Sequence, residues 1–270
     1  MNGIGGFARA RRWIERALVL ALALLAMAWY MKRRPIAPET IDASLLRSPR
    51  QSATARPPFA FEYRGKSVRV KPVAEYALDG LVMSQNDVES FADIYHDSSS
   101  VDTKDLCVLW GTSLESDDFH QVRVTNGPFT CYFRYPQGVR FRTEDLSNNH
   151  LITDDSALRN ELGAVHAGDQ VRVRGLLVDY QMDDWGDRWR RTSTVRNDDG
   201  CEVIFVEDFE VLRPGAPRWH QLYRVSGWVT ATLPALWVIL LWLGFPARAP
   251  GAASPAAART PRRPTKKWCR

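Results

Sequence analysis

Several signatures of known chemistry are missing from these 270 residues. There is no Cys-x-x-Cys pair, so a thioredoxin-like redox motif and a zinc knuckle are excluded. There is no Gly-x-Ser-x-Gly elbow, no Walker A loop, no His-Glu-x-x-His and no Gly-x-Gly-x-x-Gly turn. The familiar sequence marks of α/β-hydrolases, P-loop NTPases, zincins and dinucleotide-binding units are therefore absent. His96, His120, His150, His166 and His220 never recur two, three or four residues apart, so no single strand or helix face presents two imidazoles to a metal. Four cysteines are too few for a disulfide-stapled miniprotein. Acid is scarce at the ends: residues 1–34 and 223–270 hold 15 Lys/Arg and one acid, Glu15.

The rest of the chain has the opposite bias. Residues 35–222 carry 21 Lys/Arg against 30 Asp/Glu, and 75–210 carry 12 against 27. The formal net charge of +5 is thus the remainder of an acidic middle and basic ends, not the mark of a basic binding surface. Arg188, Trp189, Arg190 and Arg191 interleave cations with an aromatic ring. In so acidic a domain they do not argue for nucleic acid. A chain with 45% hydrophobic and 25% charged residues has ample material for a packed core.

Two long apolar runs account for the ends. Residues 17–31 follow Arg9, Arg11, Arg12 and Arg16. Fifteen helical residues span roughly 22 Å. Starting at residue 14 lengthens the run if Arg16 snorkels toward the headgroups. Ala26-Met27-Ala28 also fits a signal-peptide cleavage site, although the pattern runs on through Trp29 and Tyr30, which suit a membrane interface better. Residues 225–247 form an uncharged run of 23 residues containing Pro234, a proline tolerated in membrane helices. Seven Lys/Arg follow this second run and three (Arg213, Arg218, Arg224) precede it closely, which places the C-terminus in the cytoplasm. Two spans return the N-terminus to the same side. Gly227, Ala231 and Ala235, with Ala17, Ala21 and Ala28, form small-residue stripes through which the helices could pack or pair with a second copy.

Between the spans, residues 35–58 lack periodicity and read as linker. From Phe61 the pattern alternates. Phe61 and Tyr63, a turn at 64–66, then Val68 and Val70 predict a hairpin. Residues 87–96 predict a short amphipathic helix, and 155–162 a second. Asn126-Gly127 predicts a two-residue hairpin turn pairing Val124 with Phe129, Val122 with Cys131 and His120 with Phe133. Residues 171–180 alternate with a phase slip at Gly175, the mark of a β-bulge or bend. Residues 201–212 form the last strand, with Cys201, Val203 and Phe205 on one face. Bent strands with two short helices point to a β-rich α+β domain, with an OB-like small barrel as first choice.

In an oxidising compartment two of Cys107, Cys131 and Cys201 should pair, either Cys131 with Cys201 or Cys107 with Cys131. Asn148, Asn149 and His150 bring two amides and an imidazole into an apolar run, as donors to a ligand or as an Asx-turn closed by a strand. Asp183, Asp184 and Asp187 lack the spacing of an EF-hand loop and read as a solvated tip.

One series of motifs runs through the acidic middle: Tyr76-x3-Gly80-Leu81-Val82-x-Ser84, Asp105-Leu106-Cys107-Val108-x-Trp110-Gly111, Ser147-Asn148-Asn149-His150-Leu151, Gly168-Asp169-x-Val171-x3-Gly175-Leu176-Leu177 and Arg191-Thr192-Ser193-x2-Arg196-x3-Gly200-Cys201-Glu202. Over roughly residues 60–212 this resembles a group of uncharacterised bacterial membrane-anchored proteins with a β-rich extracytoplasmic domain. The resemblance implies an envelope setting and carries no catalytic residues.

The sequence thus predicts two transmembrane α-helices flanking a β-rich extracytoplasmic domain. Residues 1–13 form a cytoplasmic N-terminus, 14–31 the first span, 32–59 a linker, 60–222 the domain, 225–247 the second span and 248–270 a disordered basic tail. The expected location is the bacterial inner membrane, with both termini cytoplasmic and residues 32–222 periplasmic. The expected role is binding of another envelope protein or a small ligand through Asn148, Asn149, His150, Asp105 and Trp110. No catalytic residue, metal or cofactor is assigned, and the expected partners are the lipid bilayer, an envelope protein and a second copy through the helices. The alternatives are an envelope hydrolase or metal-dependent enzyme, and a subunit of a membrane secretion or conjugation assembly.

Overall fold

A computed structural model describes residues 3–34, 36–86, 100–127, 130–196, 198 and 200–244. The chain forms two compact units, one of residues 1–23 with 226–270 and one of residues 24–225. The helix expected over 87–96 and the basic tail at 248–270 lie outside the described residues.

Helix α1 (Gly3–Met31) and, near the other end, a helix over Pro217–Gly244 are each long and apolar enough to cross a membrane. The candidate spans are Arg9–Met31 and Pro217–Leu243, both longer than the apolar runs because the helices continue into polar flanks. Pro217 opens its helix, where its missing N–H has no intrahelical acceptor to lose, and Pro234 lies inside it. In the first unit the Trp237 indole donates to Glu15 at 3.0 Å. Ala21 is buried, whereas Ala17, Ala231 and Ala235 are exposed.

The second unit is sheet-rich. Its strands are β1 (Arg50–Ala53), β2 (Phe59–Tyr63), β3 (Lys66–Asn86), β4 (Lys104–Leu109), β5 (Arg123–Gly127), β6 (Thr130–Arg134), β7 (Leu146–Ile152), β8 (Gln170–Met182) and β9 (Glu202–Arg213). Helix α2 (Ser156–Gly163) joins β7 to β8. The main sheet runs β1-β3-β4-β7-β9-β8, and β3 also pairs with β8. Hydrogen-bonded neighbours therefore form a circuit, β3-β4-β7-β9-β8 and back to β3. All pairings in it are antiparallel except β7 with β9.

Local chemistry explains most of these elements. The expected β2–β3 hairpin forms with Phe61 opposite Val68 and turns through Arg64 and Gly65, both at positive φ, while Lys66 already pairs with Tyr63. Asp155 caps α2 by accepting from the Ala157 and Leu158 amides. Gly175 sits at a register shift between β8 and β9, where an added Cβ would lie 2.0 Å from the Phe205 carbonyl oxygen. Only a residue without Cβ lets the two backbones approach so closely there.

Two expectations change. The hairpin near Asn126 pairs Val124 with Phe133, Asn126 with Cys131 and Gly127 with Thr130, so its connection is 128–129, not Asn126-Gly127. An Asn126-Gly127 turn would need the residue 128 amide as a hydrogen-bond donor, and Pro128 has none. Asn126 and Gly127 therefore become strand residues, and His120 belongs to a 3₁₀ turn (Asp117–Gln121) with Nε2 2.6 Å from the Ile36 carbonyl. The segment read as linker is partly built into the fold. Leu45 is wholly buried, β1 pairs with β3, and the Asp42 amide donates to Gln170 at 2.8 Å.

The strands of the circuit pack two faces differently. One face of β4, β7 and β9 carries Leu106, Val108, Leu151, Ile204 and Val206 into a core closed by Leu162 of α2. Ile152, Val203 and Phe205 lie on the other face, in a second core with Phe61, Tyr63, Val68 and Tyr180. The polar residues of interest share that second face.

Candidate functional site around His150

Strand register brings the site together. Asp105 on β4 lies directly opposite His150 on β7, and Cys107 opposite Asn148. On the other side of β7, the parallel pairing sets His150 beside Val203 and Asn149 beside Glu202. Alternation then leaves Asp105, Asn148, His150 and Cys201 on one face.

His150 is fully buried, and its Nδ1 lies 2.6 Å from Asp105 Oδ1 and 3.8 Å from Asp102 Oδ2. Asp102, buried just before β4, accepts from the Tyr180 hydroxyl at 3.4 Å and has Arg190 Nη1 4.0 Å away. Beyond the other edge of the ring, Asn148 Nδ2 lies 3.2 Å from His150 Nε2 and 3.4 Å from Cys201 Sγ. Cys201 also hydrogen-bonds to His150. With Nδ1 taken by Asp105, Nε2 is the nitrogen left for the sulfur.

The electrostatics follow from burial and these partners. Desolvation opposes a charge on His150. The hydrogen bonds to Asp105 and Cys201 and the charges of Asp105 and Asp102 overcome it, so its pKa is pushed up to about 9. Burial, assisted by the nearby charge of Asp198, pushes the Glu202 carboxyl up to about 7 against its backbone hydrogen bond and the charges of His150 and Arg196. Burial beside Asp102 raises Tyr180 well above its ordinary value.

Asp102, Asp105 and His150 offer three donor atoms within 4.8 Å of one another, the spacing a divalent cation would need. The charges nevertheless balance without one, because a protonated His150 and Arg190 face the two carboxylates. The 2.6 Å contact between Nδ1 and Oδ1 is an ion-pair contact. The cluster combines ion-pair contacts with the Tyr180–Asp102 hydrogen bond.

Of the residues singled out in the sequence, the fold brings Asp105, Asn148 and His150 together and separates two others. Asn149 turns to the opposite face, where its amide donates to the Leu106 carbonyl at 3.2 Å. Trp110 packs among Leu106, Val108 and Leu162. Cys107 and Cys131 form a disulfide that ties the β5–β6 hairpin to β4, and Cys201 is not disulfide-bonded. Sequence reasoning did not connect Asp102, Tyr180 or Arg190 with this site. Their only signal was the ends of strands and loops, which converge through the pairing of β3, β4, β7, β8 and β9. Comparison of the chain with family models, curated proteins and solved structures yields no match.

Proposed function

We propose that the chain is a doubly anchored protein of the bacterial inner membrane. Both termini lie in the cytoplasm, and residues 32–222 form an OB-like periplasmic domain that binds a partner protein or small ligand. The observation that carries this reading is the placement of a disulfide-bearing sheet domain between two helices long and apolar enough to span a membrane. A structural disulfide persists in an oxidising compartment, and two spans hold the intervening domain on that side.

The OB-like reading is supported by strand order. Taking β3, β4, β7, β8 and β9 as first to fifth strands, the circuit runs first-second-third-fifth-fourth and returns to the first. The third and fifth strands are parallel, and α2 lies between the third and fourth. In OB barrels the ligand face is that of the second and third strands, flanked by the first-to-second and fourth-to-fifth connections. Here those are β4 and β7, and Asp102 and Arg190 come from the two corresponding connections. A partner of this domain meets a strongly acidic surface, so contacts from a cationic partner are favoured. The small-residue face at Ala231 and Ala235 would serve a second copy within the membrane.

Tagged full-length protein, crosslinked in intact membranes and purified, tests the binding role. A discrete envelope protein or ligand should copurify, and its recovery without crosslinking should fall as salt rises from 50 to 500 mM, as screening requires (both about these values). Recovery of the chain alone, with no ligand by native mass spectrometry, contradicts it.

A further inference from the structure

We propose that Cys201, His150 and Asp105 form a nucleophilic thiol site directed at activated acyl groups, esters or thioesters. This goes beyond the binding role and does not depend on it. The geometry is that of an activated nucleophile: a sulfur hydrogen-bonded to an imidazole whose far nitrogen is held by a carboxylate. Asp105 fixes the ring so that Nε2 faces the sulfur, and it stabilises the charge that the ring gains on taking the thiol proton. Asn148 Nδ2 donates to Sγ at 3.4 Å, and such a donor favours thiolate over thiol. Arg190 and Tyr180 face Asp102, while Glu202 on β9 feels the charge of His150.

Exposure follows the same direction. Asp105 and His150 are almost wholly buried, whereas Cys201 is half-buried beside the exposed Gly200. Cys201 is the member of this cluster nearest solvent.

In the reaction, the thiolate attacks the carbonyl carbon and a C–S bond forms. The bond to the leaving oxygen or sulfur breaks, and the leaving group takes the Nε2 proton. Water then attacks the acyl-cysteine, gives one proton back to Nε2, and releases the carboxylic acid as its carboxylate. The thiolate and imidazolium are restored, and the second proton of the water is lost with the ionised acid. No oxidant or reductant is consumed.

The test uses the full chain in detergent with Cys269→Ser, so that Cys201 is the reactive thiol measured. Iodoacetamide should alkylate Cys201 at a rate that is nearly flat between about pH 6 and 8. His150→Gln should restore an ordinary profile and cut the rate at pH 6.5 at least about tenfold, in proportion to the lost thiolate. Asp105→Asn, which keeps the shape of the side chain, should shift the profile in the same direction. p-Nitrophenyl acetate should acetylate Cys201 with a stoichiometric burst that Cys201→Ser abolishes while leaving near-ultraviolet dichroism unchanged. A rate in the unmodified site that rises with a midpoint near 8.5, or a profile indifferent to both Asp105→Asn and His150→Gln, would overturn the proposal. So would the absence of acetylation at Cys201.

Discussion

His150 and Glu202 each bind a proton more strongly folded than unfolded, whereas burial makes His166 bind its proton more weakly. For Glu202 the value moves from 4.5 to about 7, and for His150 from 6.5 to about 9. Wherever the native state holds more protons than the unfolded chain, stability falls as pH rises. The loss due to Glu202 therefore runs from pH 4.5 to about 7, and that due to His150 from 6.5 to about 9. Each shift corresponds to about 3 kcal/mol, since one unit is about 1.4 kcal/mol. The melting temperature of the sheet domain, followed by near-ultraviolet dichroism of the full chain, should decline from pH 7 to about 9, above the range in which the lowered His166 acts in the opposite sense. Glu202→Gln should remove the loss that this carboxyl contributes between pH 4.5 and about 7, so that the variant gains on the parent chain as pH rises through that window. A melting temperature that rises from pH 7 to about 9 would contradict the assignment.

At the level of elements, legibility tracked how local the determinants are. The β2–β3 hairpin, helix α2 and the bulge at Gly175 were readable because a turn, a cap and a phase slip are written within a few residues. The β5–β6 register was misread because an Asn-Gly signal outweighed a proline two residues on from the asparagine, whose missing N–H rules out that turn. The two candidate disulfides could not be separated by alternation alone, since Cys131 and Cys201 both lie on faces of strands. Only the pairing of β4 with β7, and the hairpin's position against β4, decides for Cys107 with Cys131. The same limit applied to the site. Asn148 and His150 were visible as neighbours on one strand, while Asp102, Arg190 and Cys201 arrive from distant strand ends. The disulfide encloses a 24-residue separation, for which loop-closure entropy suggests about 3 kcal/mol. Replacing Cys107 and Cys131 by serine should lower the stability of the domain by about that amount, measured by urea unfolding in detergent. Unchanged stability would mean that the hairpin is held by the packing of Val124 with Met83 and Leu146 instead.

For the molecule as a whole, charge and apolar length describe one arrangement: basic ends, two candidate spans and an acidic domain between them. The ionic network of Asp102, Asp105, His150 and Arg190 lies within that middle domain, and so does the disulfide. Placement across the membrane is therefore the claim on which the periplasmic role rests. It is tested most directly by cysteine labelling in spheroplasts with a membrane-impermeant maleimide. Val195 is exposed in the connection between β8 and β9, and Cys269 lies in the basic tail. With Cys201→Ser present throughout, one variant carries Val195→Cys with Cys269→Ser, and a second keeps Cys269 alone. The account predicts that residue 195 is labelled in intact spheroplasts and that Cys269 is labelled only after permeabilisation. Labelling of both in intact spheroplasts, or of Cys269 but not residue 195, would contradict it.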